Sequence, residues 1–343
     1  MPWSESAGVQ TLLPAVAWMA AVMVAALGSR WAIAHANRND LLDHPGERRS
    51  HAEPTPRGGG IGIVIAVLPA LLVAGIGGST SDDWWLVAAG LLLVAGIGWW
   101  DDHRPLPAWP RLLVHAIAAA CLAWAMHRQG AGAVAVVATF VLAIVLVNAW
   151  NFMDGIDGLA ASQGLLCALG FAVVLGDAWR ALALAVAGGC LGFLPFNLPK
   201  ARVFLGDVGS GALGYLVASL LAAGFASRPV AVWPLLLLPP MAMLVDAGLT
   251  LLWRMRRGER WWQAHSSHSY QLLARRLGAH VPVTTGYFAV SVIGAGIAFG
   301  CRQAQVTTAF ILPALLAWYM ALVIIWRAVR SPAAMDKVDR SKG

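Results

Sequence analysis

Long apolar runs alternate with short polar connections along the whole chain. They can be read at about residues 10–29, 59–78, 84–100, 112–127, 132–149, 159–176, 180–197, 208–226, 229–253, 283–301 and 307–326. Each approaches the ~17–25 residues that carry a helix across the hydrocarbon of a bilayer. Only helices and closed barrels satisfy their backbone there, and runs of this length are helical. The pattern therefore predicts an all-α, polytopic integral membrane protein with about eleven transmembrane helices. Gly and Ala recur inside the runs, which suits close helix–helix packing in lipid. No internal repeat and no low-complexity segment divides the chain, so residues 1–343 read as one transmembrane domain, with 327–343 a basic tail.

Composition strengthens that picture. The chain is 59% hydrophobic and 12% charged, with a mean hydropathy of +0.68, against roughly 25% charged residues in a soluble domain. Trp84, Trp85, Trp99, Trp100, Trp150, Trp261 and Trp262 flank apolar runs, as in an interfacial aromatic belt. Cys121, Cys167, Cys190 and Cys301 fall in or beside apolar runs without metal-ligand spacing, which makes them packing residues and implies no disulfide framework. The first run lacks a preceding basic segment and reads as a retained span.

Charge then sets an orientation. Alternating the connections places twenty of the 24 Lys and Arg on one side, and only Arg128, Arg180, Arg228 and Arg302 on the other. Basic loops stay cytoplasmic, so the N-terminus is expected outside and the C-terminus in the cytoplasm. The net charge of +7 is thereby explained by topology and by contact with anionic membrane lipids or phosphate. Nucleic acid is not the implied partner.

With that orientation, five carboxylates gather at the cytoplasmic surface. Asp101 and Asp102 end the third run, Asp154 and Asp157 follow the fifth, and Asp207 opens the eighth. Between Asn148 and Ala160, Asn148 and Asn151 precede the two acids, and Gly155 and Gly158 follow them directly. Five acids at one depth repel strongly unless cations neutralise them. Hard oxygen ligands of this kind suit Mg2+, which takes one or two carboxylates and fills its shell with water and substrate phosphate.

The basic connections complete the pattern. Arg48, His51 and Arg57 offer donors to phosphate, and Gly58, Gly59 and Gly60 open the second run with backbone N–H groups suited to an anion cradle or to a tight packing entry. His265 and His268 lie three residues apart in the last long basic connection, a spacing that favours phosphate contact or proton donation over zinc. Asp246 lies about two turns inside the ninth run. An acid there is either paired, for example with an Arg of the basic loops, or protonated, and structural pairing is the preferred reading.

These stretches together resemble the polyprenyl-phosphate N-acetylhexosamine-1-phosphate transferases, glycosyltransferase family 4, which include phospho-N-acetylmuramoyl-pentapeptide translocase. The resemblance covers about residues 43–278 in one register. It rests on Asp43, Pro45, Arg48, His51 and Pro54 to Gly60, then Asp101-Asp102, Asn148 to Gly158, Asn197 and Phe204 to Ser210, with Asp246, Arg254, His265 and His268 following. It implies transfer of a sugar-1-phosphate from a UDP-N-acetylhexosamine to undecaprenyl phosphate, with release of UMP and a requirement for Mg2+. It also implies a single catalytic domain in a bacterial inner membrane, with the active site at the cytoplasmic face. Carried over by position, Asp207 is the principal Mg2+ ligand with Asn151 beside it. Asp101, Asp102, Asp154 and Asp157 are the essential acids. Asn197 and Phe204 lie beside the nucleotide, with the Phe204 ring on uracil. Asn148, Arg48, His51, Arg57, His265 and His268 bind substrate. A homodimer is among the oligomeric states left open.

Two departures bear on the branch. His103-Arg104 follows Asp101-Asp102 where the muramoyl-pentapeptide branch carries a Lys, and Ser269-Tyr270 follows His268 where further His residues are usual. They point to the branch that initiates O-antigen and leave the sugar open. The rival from another class is a polytopic transporter, which places acids near the bilayer midplane, often between internal repeats. Here the acids sit at one face and no repeat is visible.

Overall fold

In the computed structural model, residues 4–43, 53–77, 81–260, 262–263, 265–303 and 308–331 are described. The apolar runs fold as α1 (Ser4–Arg38), α2 (Ile61–Gly77), α3 (Ser81–His103), α4 (Ala108–Arg128), α5 (Ala133–Phe152), α6 (Leu159–Val174), α7 (Asp177–Asn197), α8 (Gly206–Ser227), α9 (Trp233–Leu236), α10 (Met241–Arg256), α12 (Val281–Gln303) and α13 (Thr308–Val329), with the short polar α11 (Ser269–Leu277) before α12. The protein is an all-α polytopic membrane protein.

The eleven runs are not eleven equal spans. By length and composition, eight helices among the described residues are long and apolar enough to cross a membrane, while α2 and α6 are shorter apolar helices. The ninth run breaks into a helical turn at Val230–Leu236 and α10, bent by 86°. Pro239 and Pro240 stand at the break. Proline removes the backbone donor and clashes with the preceding turn, an effect that a hydropathy run does not register.

Helix α8 is the axis. Its spanning window is wholly buried, and a helix apolar all round belongs in the interior. It packs against α3 and α5, with α2, α4, α6 and α7 around it, and α1 lies outside on α2 and α7. Close backbone crossings bring these helices in. A Cβ on Gly60 would lie 2.2 Å from the Gly209 Cα, so α2 enters the bundle backbone to backbone against α8. At one end of the bundle, the C-termini of α3 and α5 and the N-terminus of α8 come together, and the candidate site is there.

Candidate active site

The chain turns sharply after α3, and Asp101 makes the turn. Its Oδ1 accepts the Leu106 N–H at 2.5 Å, and its Oδ2 pairs with Arg111, which stands one turn into α4. The same Arg111 reaches two other elements. Its Nη1 lies 3.5 Å from Asp207 Oδ2, and its Nη2 donates to Asn151 Oδ1 at 3.0 Å. Asn151 in turn donates through Nδ2 to Asp207 Oδ1 and to Ser210 Oγ at 3.1 Å. One guanidinium thus ties α3, α5 and α8 together through Asp101, Asn151 and Asp207.

Asp102 lies next in sequence and has a different setting. Its two oxygens accept the backbone N–H groups of Asp207 at 2.9 Å and Val208 at 3.1 Å. These are donors that the first turn of a helix leaves unpaired, so Asp102 caps α8 from another helix. Gly206 precedes them with φ +75°, and a Cβ there would lie 2.6 Å from Asp102 Oδ2. The glycine lets the carboxylate close on the helix end.

The loop between α5 and α6 holds Asp154 and Asp157. The Asp154 carboxylate has no hydrogen-bond partner among the described residues, and burial pushes its pKa up to about 7. The charges of Asp102 and Asp157 add to that rise, and Arg57 opposes it. Asp157 is engaged elsewhere. Its Oδ2 lies 3.1 Å from His280 Nδ1, and its carbonyl accepts the Thr284 hydroxyl at 2.7 Å, which fastens this loop to the start of α12.

Two expected substrate residues face the protein's own backbone. Asn197 is buried, accepts the Gly158 N–H at 2.7 Å and donates to the Val203 carbonyl at 2.9 Å. With both ends of its carboxamide occupied, it aligns the loops that bear Asp157 and Asp207. Asn148 donates to Ile144 O at 2.8 Å and meets the His115 side chain, one turn deeper in α5 than Asn151. Phe204 is half-buried, and its backbone runs beside the first loop, with its N–H on Pro56 O at 2.8 Å.

That first loop differs from an anion cradle. Gly59 N–H donates to Phe204 O and Gly60 N–H to Leu205 O, each at 2.9 Å, so both amides are occupied and the packing entry is the reading that holds. Arg57 sits 2.7 Å from Asp43 Oδ1 beside the two-residue pairing of β1 (Leu42–Asp43) with β2 (Thr55–Pro56). Arg48 and His51 lie outside the described residues, as do residues 332–343 of the basic tail.

The histidine loop packs on the end of α5. His268 is buried, with its ring 4.8 Å from His265, 6.1 Å from Phe152 and 5.9 Å from Tyr270. Burial lowers its imidazole pKa below the ordinary value, against the charge of Asp246. Tyr270 donates to the Phe152 carbonyl at 3.0 Å. Asp246 is structurally paired, with backbone amides and hydroxyls in place of a loop Arg. Its oxygens accept the N–H groups of Ser269 and Tyr270 at 2.8 and 3.1 Å, with the hydroxyls of Thr250 at 3.1 Å and Tyr287 at 2.7 Å. The first-turn N–H groups of α11 have no partner within the helix, and Asp246 supplies it.

The profile of glycosyl transferase family 4 matches residues 84–224, which contain α5, most of α3 and α8, and the Arg111 cluster. The decaprenyl-phosphate N-acetylglucosaminephosphotransferase of Mycolicibacterium smegmatis is 33% identical over 73% of this chain and 72% of its own length. The chain belongs to glycosyl transferase family 4. A phospho-N-acetylmuramoyl-pentapeptide-transferase of Synechococcus is 37% identical over 48% of this chain and 55% of its own. A probable undecaprenyl-phosphate N-acetylglucosaminyl 1-phosphate transferase of Bacillus subtilis is 31% identical over 52% and 54%. The chain thus spans about half to three-quarters of the length of these relatives. It is a glycosyl-1-phosphate transferase.

Within this transferase the donor set bears on a metal. Among the described residues, no three His, Cys, Asp or Glu form a preformed cage. Asp101 and Asp207 nevertheless aim one oxygen each at the same Arg111 nitrogen. Two carboxylates directed at one cationic point, with a carboxamide beside them, fit an ion that takes few protein oxygens. Arg111 and His280 were not singled out from sequence. Arg111 carries a signal, as a basic residue at the edge of the fourth apolar run in the connection that follows Asp101-Asp102. His280 carried none, since its partner lies 123 residues away.

Proposed function

We propose that this transferase moves N-acetylhexosamine-1-phosphate from a UDP-sugar to undecaprenyl phosphate at the cytoplasmic face of a bacterial inner membrane. UMP is released, and the lipid-linked sugar initiates a cell-surface glycan such as O-antigen. The observation that carries this reading is the convergence of Asp101, Asn151 and Asp207 on Arg111, where helix ends meet at one end of the bundle. One substrate is dissolved and the other is anchored in lipid, so a site at helix ends serves both.

In the reaction an oxygen of the lipid phosphate attacks the β-phosphorus of the UDP-sugar. The bond from that phosphorus to the α,β-bridging oxygen breaks, its electron pair leaves with UMP, and the sugar–phosphate bond stays intact. No base is required, because a phosphate monoester with a second pKa of about 6 is largely ionised near neutral pH. Asp207 and Asp101, with Asn151, are the residues proposed to hold Mg2+, which would neutralise charge on the diphosphate. Arg111 and Arg57 supply fixed positive charge to phosphoryl oxygens. Asp102 holds Asp207 in place through the α8 N-terminus. Asp154, lacking a protein partner among the described residues, faces substrate. His265 and His268 border the donor beside Phe152. Names of the relatives make UDP-N-acetylglucosamine the first donor to test.

The test is UMP release and appearance of labelled lipid from a panel of UDP-N-acetylhexosamines, in membranes supplied with undecaprenyl phosphate. Activity is expected to vanish with a chelator and to return with Mg2+. Transfer that survives metal removal would refute the metal assignment, and no release from any UDP-sugar would refute the donor.

A further inference from the structure

The histidine loop is anchored from a helix that the family profile, ending at residue 224, does not reach. Arg330 follows the last turn of α13. Its Nη1 donates to Ser269 Oγ at 2.5 Å, and its Nη2 donates to Thr250 Oγ1 at 2.7 Å and to the Ser267 carbonyl. The guanidinium lies 4.0 Å over the Trp326 ring. Trp326 also donates to Thr250 Oγ1, at 3.1 Å, and Thr250 donates to Asp246, which caps α11. Residues 267 and 269 flank His268, so Arg330 grips the chain on either side of that ring. A planar guanidinium with several fixed donors holds such a geometry where an ammonium does not.

We infer that Arg330 is a positioning residue for the donor site, latching the loop of His265 and His268 to α10 and α13 through Ser267, Ser269 and Thr250. The inference rests on the reading that this loop borders the donor. Arg330 touches neither the Asp101–Arg111–Asp207 cluster nor the reacting atoms. Its removal therefore changes how well the donor is held and leaves the transfer step itself intact.

The test uses the full chain in detergent, comparing wild type with Arg330→Ala and Arg330→Lys by two readouts. The first is the rate of trypsin cleavage after the exposed Arg256, Arg257 and Arg260. The second is KM for the UDP-sugar against kcat. Loss of charge-assisted bonds on both sides of His268 should speed cleavage and raise KM by roughly tenfold or more, with kcat within about twofold of wild type. Arg330→Lys, keeping charge with fewer donors, should fall between the two. If Arg330→Ala does not insert, Ser269→Ala removes one acceptor and keeps the N–H bond to Asp246, and it should shift both readouts less. Unchanged cleavage, or a fall in kcat at unchanged KM, would overturn the latch. If wild type transfers from no UDP-sugar, the proposed function falls, and cleavage still decides whether Arg330 holds the loop.

Discussion

Replacing Asp102 by asparagine should destabilise the protein as well as slow it, because this carboxylate caps the central helix. Its two oxygens accept the N–H groups of Asp207 and Val208. The amide keeps one acceptor and turns an NH2 toward the other donor. A hydrogen bond to a charged group contributes about 1.5–3 kcal/mol, and an unpaired buried donor has a cost of its own. The lost carboxylate charge at the helix N-terminus adds roughly 0.3–1 kcal/mol. Together these give about 2–4 kcal/mol. At about 2 °C per kcal/mol for a chain of this size, the melting midpoint should fall by ~4–8 °C. Cys167 and Cys190 are fully buried, so a thiol-reactive dye reports the unfolding directly. A second readout comes from Asp154, whose pKa the Asp102 charge helps to raise. In Asp102→Asn any activity transition near neutral pH should move to lower pH. If the variant melts like wild type and yet loses all transfer, Asp102 acts on substrate itself and the capping argument is refuted.

Three further outcomes are expected. Arg111→Lys keeps the charge but cannot bridge Asp101, Asn151 and Asp207 together, and transfer should fall by roughly 10–100-fold, read as initial rate; full activity would remove Arg111 from the site. Asp154, with a folded pKa of about 7 against an ordinary 3.8, holds a proton in the folded state that the unfolded chain has released between those values. Stability should therefore fall as pH rises through that window and level off above it, and Asp154→Asn should flatten the slope of melting midpoint against pH. A Cβ on Gly155 would lie 2.2 Å from the Tyr270 hydroxyl, so Gly155→Ala should cost activity that Tyr270→Phe partly restores. Absence of rescue in the double variant would place the effect elsewhere.

Much of the fold was legible because hydrocarbon imposes one rule on every span. The apolar run at residues 208–226 predicts a span there, and α8 occupies Gly206–Ser227. The ninth run failed because hydropathy is blind to what Pro239-Pro240 does to a backbone, and its count of apolar residues is the same bent or straight. The acids were legible as a set, since ionisable residues at span ends stand out against 59% hydrophobic sequence. Their separate duties were not. Whether an Asp faces a guanidinium or a helix end depends on partners such as Asp207, 105 residues from Asp102, and no local pattern encodes that distance. The same holds for Asn197, whose carboxamide looks like a ligand in sequence and binds Gly158 and Val203 in the fold.

Asp102 and Asp246 solve one physical problem twice. A helix that starts inside a protein brings unpaired N–H groups and a positive dipole end. In both cases an Asp from a neighbouring helix supplies two oxygens to two successive amides, at α8 and at α11. That device sorts the acids by chemistry. A carboxylate whose oxygens both accept helix N–H groups has little left to offer an ion or a phosphate-bearing substrate. Asp157, paired with His280, is also engaged. Asp101 and Asp207 are engaged as well, but each has one oxygen on the same cationic nitrogen, Arg111 Nη1, while Asp154 has no side-chain hydrogen bond among the described residues. The first two share a cationic partner and are the residues proposed to hold Mg2+. Asp154 faces none directly and is held near neutrality by burial, so its charge is the one that substrate binding would change most. The reaction is therefore expected to be most sensitive to pH through Asp154, and to metal through Asp101 and Asp207. A pH–rate profile and a Mg2+ titration on Asp154→Asn and Asp101→Asn separate those roles. Asp154→Asn should flatten the profile while its Mg2+ half-saturation stays near wild type. Asp101→Asn should raise the half-saturation and keep the pH transition, and the opposite pairing would overturn the assignment.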